Sequence, residues 1–180
     1  MKYLVVSDIH GALKGASVIK ELEDFHETDA VLLLGDILYH GPRNDLPEDY
    51  APKEVIPLIS ALKDRIIAVR GNCDAEVDQM VLGFPISADY NELFVGKHKV
   101  FMTHGHVYSP KNMPELSSGM IFLSGHTHLP EAHQKDGVFI LNPGSISLPK
   151  GGHPCTYGVL DKKGFKIFTL DHEEYMKISF

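Results

Sequence analysis

The chain contains no tryptophan and only two cysteines, Cys73 and Cys155, among its 180 residues. Two thiols cannot form a disulfide framework, so stability must come from a packed core, and a reducing cytoplasm is the expected setting. No apolar run approaches the ~18 residues that suggest a membrane span. The opening MKYLVVSDIHG carries too short an apolar stretch for a secretory signal and reads instead as a first core strand. Clusters of Lys or Arg are also missing. With 17 basic against 24 acidic residues the net charge is -7, which speaks against a nucleic-acid surface, because such a surface needs a basic stripe. No RNP, KH or zinc-finger pattern, repeat, linker or low-complexity tract occurs. An acidic protein can still bind phosphate where metal ions bring the positive charge.

What is present is an ordinary globular balance, 43% hydrophobic and 23% charged, with a high count of 11 histidines. Residues 1–180 are expected to form one domain that buries roughly 70% of its unfolded surface. Short apolar runs recur, at Tyr3–Val6, Ala30–Leu34, Ile66–Val69, Lys99–Thr103 and Met120–Ser124, each closely followed by glycine and polar residues. Runs of this kind fit strands buried on both faces. Between the first three, apolar spacing predicts helices over Leu13–Phe25 and Pro52–Lys63. The β-α-β-α-β order points to a mainly parallel sheet with right-handed crossovers. After about residue 90 strand-like runs come with Gly-rich turns and little helix, as a second sheet would require. Tyr39–Tyr50 reads as a loop.

Ligands of α/β sheets collect beyond the carboxyl ends of strands. There the sequence places Asp8, His10, Asp36, Asn72, His104, His126 and His128. Any one of these has an ordinary explanation, a hydrogen-bonded histidine or an Asp helix cap. Seven oxygen and imidazole donors at five Gly-flanked strand ends are hard to obtain from capping alone. The mixture suits borderline-hard divalent ions. The donors are too many for one tetrahedral site and fit two ions that share a carboxylate. Two such ions outweigh the charges of Asp8 and Asp36, leaving a surplus that attracts phosphate and acidifies a bridging water. His106, two residues after His104, shares its face if the backbone is extended. His40 and Arg43 lie in the loop after Asp36, within reach of a bound phosphate. Asn142-Pro143-Gly144-Ser145 forms a turn that can present Ser145 or its backbone amides to the site. Asp74 is read as the cap of a short helix over Ala75–Met80, and His26, His98, His133, His153 and His172 as surface or structural.

In order, Asp8-Ile9-His10, Gly35-Asp36, Gly71-Asn72, Gly105 between His104 and His106, and Gly125-His126-Thr127-His128 resemble the signature of the calcineurin-like metallophosphoesterases. HGHVYSP, GHTHLP and NPGSISLPKGG extend the likeness over nearly the whole chain, toward the small bacterial phosphodiesterases of the YfcE type. The resemblance implies an α/β fold, a four-layer α/β/β/α sandwich with two central mixed sheets. It implies two divalent transition-metal ions, manganese first, with iron, zinc, nickel and cobalt as alternatives. Asp8, His10 and His128 would hold one ion, Asp36 would bridge, and Asn72, His104 and His126 would hold the other. A metal-bound hydroxide would then attack the phosphorus of a small phosphodiester, with Asn72, His104 and Cys73 in the catalytic set. Asn72, Arg43, His106 and Ser145 are the candidate substrate contacts.

One departure stands out. Many relatives carry His directly after the asparagine, as the acid for the leaving oxygen; this chain has Cys73. A neutral thiol, with an ordinary pKa of about 8.5, is a poorer acid at neutral pH than an imidazole near 6.5. The expectation is a preference for aryl diesters over alkyl monoesters. The competing readings are a phosphomonoesterase of the same superfamily and a non-catalytic Vps29-like scaffold with a degraded metal site. The C-terminal EEYMKISF can pack on a second copy, giving a homo-oligomer, or on the chain's own core.

Overall fold

In the computed structural model, which describes residues 1–180, the first apolar runs become strands covered on both faces. β1 (Tyr3–Val6) and β2 (Ala30–Leu33) are buried at every position. They pair in parallel with each other, and β2 pairs in parallel with β3 (Ile66–Ala68). Parallel neighbours need crossovers, and these carry α1 (Leu13–Ser17), α2 (Ile19–His26) and α3 (Pro52–Ser60). The single helix expected over 13–25 is divided at Val18. There the Ser17 hydroxyl donates to the Lys14 carbonyl at 2.9 Å, a local bond that competes with the helical ladder. Gly15 also lies so close to a neighbouring turn that a Cβ would fall 2.1 Å from Ser147 Oγ.

After α4 (Glu76–Leu82), a second sheet forms from β4 (Tyr90–Val95), β5 (His98–Thr103), β6 (Ile121–Leu123), β7 (Pro130–Lys135) and β8 (Val138–Pro143). Its order is β4-β5-β6-β8-β7. The chain then returns as β9 (Thr156–Asp161), β10 (Gly164–Thr169) and β11 (Glu174–Ser179). These extend the first sheet to β11-β10-β9-β1-β2-β3. The result is an α/β sandwich built on two mixed sheets. β4, β7 and β11 have no counterpart among the expected strands, and each is a sheet edge. Edge strands keep polar side chains that discourage further pairing, so they lack the apolar run that marks a central strand.

The pleat of β1 shows how the layers are joined. Leu4 and Val6 face the helices with Ile19, Leu22, Val31, Leu33 and Ile59. Tyr3 and Val5 face the second sheet and meet Val100, Met102, Leu123 and Leu141. Each fully buried Leu or Ile contributes roughly 1.5–3 kcal/mol. The outer face of the second sheet, with Phe101 and Phe122, is covered by Tyr108, Met113 and Leu116 of segment 105–119. The C-terminal residues Met176, Ile178 and Phe180 pack against the core between the sheets.

α2 is tied to β9 by a polar chain in which His26 Nε2 and Tyr157 Oη lie 2.8 Å apart and Tyr157 Oη lies 3.2 Å from His172 Nδ1. Burial, then the charges of Lys2 and His172, lower the His26 pKa from 6.5 to about 4. A histidine depressed on folding stabilises above its unfolded pKa. As the pH falls from about 6.5 to about 4, the unfolded chain takes up a proton that the folded chain refuses, and stability is lost. Urea unfolding across this window should show a larger loss for the wild type than for His26→Gln. The expected difference is on the order of 1 kcal/mol after discounting for partial exposure. Equal slopes for the two proteins would refute the assignment.

Candidate metal centre

The carboxyl ends of β1, β2, β3, β5 and β6 converge where the two sheets meet. Asp8, His10, Asp36 and Asn72 arrive from the first sheet, and His104, His126 and His128 from the second. Five of these seven sit in left-handed backbone conformations: Asp8 (φ 57°), His10 (53°), Asp36 (54°), His126 (68°) and His128 (60°). Only three other non-glycine residues of the chain share that property, Glu27, Asp136 and His172. Left-handed backbone is costly for a histidine and persists where surrounding contacts over-determine it.

Those contacts are visible. The Asp74 carboxylate accepts the backbone N–H groups of Asp36 (2.8 Å), Ile37 (2.8 Å) and Gly71 (2.7 Å). Asp74 is therefore not the cap of the following helix. The N–H of Ala75, the residue preceding that helix, is instead accepted by the Asp78 carboxylate at 2.9 Å. Asp74 holds the ends of β2 and β3 together. Gly71 permits that closeness, since a Cβ on it would lie 2.1 Å from Asp36 Oδ1. The Ser145 hydroxyl donates to the Asp8 carbonyl at 2.8 Å and accepts the Leu148 N–H at 2.8 Å. Ser145 is fully buried, so it shapes the turn after β1 and does not reach a substrate.

The electron-pair arrangement is the chemical core of the site. Nδ1 of His10, His104 and His128 faces the carbonyls of Tyr39 (2.9 Å), Leu34 (2.7 Å) and Leu148 (2.5 Å). A carbonyl only accepts, so each Nδ1 carries a proton and each neutral ring presents an Nε2 lone pair inward. His10 Nε2 and His128 Nε2 face each other at 3.3 Å. They lie 3.6 and 3.3 Å from Asp8 Oδ1, a buried oxygen without a hydrogen-bond donor. On the other side His104 Nε2 is 3.2 Å from Asn72 Oδ1 and 3.2 Å from His126 Nδ1. Asp36 Oδ2 lies between the two groups, 3.6 Å from His10 Nε2 and 3.5 Å from His104 Nε2. Acceptors facing acceptors in a buried site require a cation.

Burial acts to lower the His104 pKa, but Asp36 and Asp8 outweigh it and raise it to about 9. Burial works to raise the Asp8 carboxyl, and His10, His104 and His128 overcome it, so the carboxyl is lowered. Asp36 is lowered likewise against its burial, by His104 first. His126 is driven down to about 4 by burial and by the charge of His104.

Above these residues opens a cavity of about 360 Å³. Asp36, Asn72, Cys73, His126 and His128 reach its floor, with Arg43, Asn44 and Lys150 among its walls. Asn44 and Lys150 are absent from the sequence-based set. Lys150 lies in the LPKGG turn, far along the chain from every ligand motif. His106 stands beyond His104, ring centroids 5.4 Å apart, and does not line this cavity. His40 is wedged between Tyr39 and Tyr50 and likewise does not line it.

The calcineurin-like phosphoesterase superfamily domain matches residues 1–164. The chain belongs to that superfamily, and it is a metal-dependent phosphoric ester hydrolase. Among individual relatives it is 45% identical to phosphodiesterase YfcE of Escherichia coli K12, over 96% of this chain and 94% of that protein. The solved structure of E. coli YfcE, described as a phosphoesterase, superposes with a TM-score of 0.96 at 43% identity, covering 99% of both chains. Vacuolar protein sorting 29 of Cryptosporidium parvum shares the fold, with a TM-score of 0.64 at 19% identity over 99% of this chain and 98% of that one.

Replacing Gly71 by Ala forces Asp36 to move, because backbone as well as carboxylate obstructs the new methyl group. Calorimetric titration with Mn²⁺ should show binding to Gly71→Ala weakened at least tenfold. Thermal unfolding should show a loss of about 2–4 kcal/mol. Unchanged affinity would mean that the Gly71 approach does not set the position of Asp36.

Proposed function

We propose that the chain is a dinuclear-metal phosphodiesterase that cleaves small phosphoric diesters at the meeting of its two sheets. The observation that carries this reading is Asp36 Oδ2, which faces His10 Nε2 on one side and His104 Nε2 on the other. Asp8, His10 and His128 would hold one ion, and Asn72, His104 and His126 the second, with Asp36 shared. Asp8, His10 and His128 have ligand atoms close enough for the first, and His104 Nε2 lies 3.2 Å from both Asn72 Oδ1 and His126 Nδ1 for the second. Manganese heads the candidates, with iron, zinc, nickel and cobalt next. When bound, such ions supply an activated water nucleophile and positive charge for the phosphoryl oxygens.

The protein's own groups supply the geometry. The three Nδ1–carbonyl bonds fix the rings so that only Nε2 can ligate. Arg43 and Lys150 on the cavity wall are placed to neutralise phosphate oxygens. Cys73 has two positioning contacts: its N–H donates to Asp36 Oδ1 at 2.8 Å, and its sulfur accepts the Asn72 side-chain N–H at 3.2 Å. The second leaves the Asn72 oxygen directed at the donor set. Burial, then the nearby Asp36 charge, pushes the Cys73 thiol up to about 12. Even at its ordinary pKa a thiol is a poorer proton donor to a leaving oxygen at neutral pH than an imidazole.

The reading therefore favours esters whose leaving group departs without protonation. The cavity has no Phe or Tyr in its lining, so an aryl preference would come from leaving-group acidity and not from stacking. A Mn²⁺-supplemented panel of aryl diesters, alkyl diesters, monoesters and phosphopeptides should show aryl diesters first. Asn72→Ala and His104→Ala should each lower kcat at least a hundredfold. In Cys73→His, activity on alkyl monoesters should rise relative to aryl diesters. An unchanged ratio, or alkyl monoesters as the best substrates of the wild type, would overturn the assignment of Cys73. Absence of both metal uptake and hydrolysis would favour the scaffold reading, against which the full set of seven donors now stands.

A further inference from the structure

A groove of about 570 Å³ lies on the helix side of the first sheet, where β9, β10 and β11 extend past α2. It gathers four lysines, Lys2, Lys163, Lys166 and Lys177, in a protein of net charge -7. Lys166 and Lys177 are directly opposite in the β10–β11 register, a like-charge pairing that is unfavourable unless compensated. Glu174 compensates, with one carboxylate oxygen 2.7 Å from each ammonium group. That single carboxylate holds both lysine heads in place while neutralising only one of their charges. Asp161 turns its carboxylate to the Lys163 backbone N–H at 2.7 Å. The ammonium groups of Lys2 and Lys163 form no ion pair; Lys2 Nζ donates to the His26 carbonyl at 2.5 Å. Four positive charges against Asp161 and Glu174 leave a local surplus of two.

We propose that this groove is a second anion site, separate from the metal centre, that binds a short polyphosphate chain. Lys2 precedes the first residue of β1, whereas Asp8 follows the last, so the two sites lie at opposite ends of that strand, about 13 Å or more apart. Lys163, at the β9–β10 turn, and Lys166 are three residues apart, so the charge is spread over roughly 7–10 Å. A single phosphate is too short to meet all of it, while two or three linked phosphates fit. The rings of Phe168 and His26 edge the groove and would accept a nucleoside attached to the chain.

The test is calorimetric titration of the full chain with pyrophosphate, tripolyphosphate and ADP in a chelating buffer, so that no metal ion competes. Saturable one-to-one binding is expected, at least tenfold weaker in Lys166→Ala/Lys177→Ala and in Lys163→Glu, and unchanged in His126→Ala. Tighter binding of ADP than of pyrophosphate would assign the chain to a nucleotide; the reverse would assign it to inorganic polyphosphate. Amide shifts of the unmodified protein provide the second readout. Perturbation centred on Lys163 and Gly164 supports the site. No binding at millimolar ligand, shifts centred on Gly125 and Thr127, or variants that bind like the wild type would each overturn it.

Discussion

The whole arrangement turns on a set of inward-facing electron pairs that the protein cannot satisfy with its own hydrogens. Three imidazoles have used their one proton on backbone carbonyls, and Asp8 Oδ1 has no donor. In a medium that excludes water such a cluster is repulsive until a positive charge enters. The pull of Asp36 and Asp8 on such a charge raises the His104 pKa to about 9. Divalent ions would supply that charge. Selectivity for a cation is therefore built in by tautomer choice, and the carbonyls of Tyr39, Leu34 and Leu148 make that choice.

Holding the cluster together has a conformational cost, and the surrounding structure offsets it. The left-handed turns at Asp8, His10, Asp36, His126 and His128 would relax if the chain were free to do so. Those at Asp36 and Asp8 are held by the bonds of Asp74 to three backbone amides and by the Ser145 hydroxyl on the Asp8 carbonyl. None of these groups reaches a substrate. Cys73 belongs to the same framework, since its amide and sulfur steady Asp36 and Asn72. A residue that looks reactive in the sequence thus acts mainly through its neighbours.

The sequence marked the seven candidate donors because each follows an apolar run and a strand buried on both faces admits little else. It revealed the parallel core for the same reason. It concealed β4, β7 and β11, whose alternating polar residues are proper to edges and indistinguishable locally from turns. It concealed the break at Val18, where the Ser17–Lys14 bond is joined by the approach of Gly15 to Ser147, far along the chain. Asp74 was misread because capping is a local habit, whereas its true partners at Asp36 and Ile37 lie 37–38 residues away. Lys150 and Asn44 became part of the cavity only once the loops folded over it. Local chemistry was legible, and contacts set by tertiary closure were not.

The donors come from both sheets, four from the first and three from the second, and the sheets are otherwise joined by apolar packing and by a few hydrogen bonds such as that from Asn91 Nδ2 to the Ala68 carbonyl at 2.7 Å. Cations held at this seam would act as a clasp. Sliding one sheet against the other by even an ångström would separate His104 from Asp36 and His128 from Asp8. Metal occupancy and the alignment of the two halves are in that sense one variable.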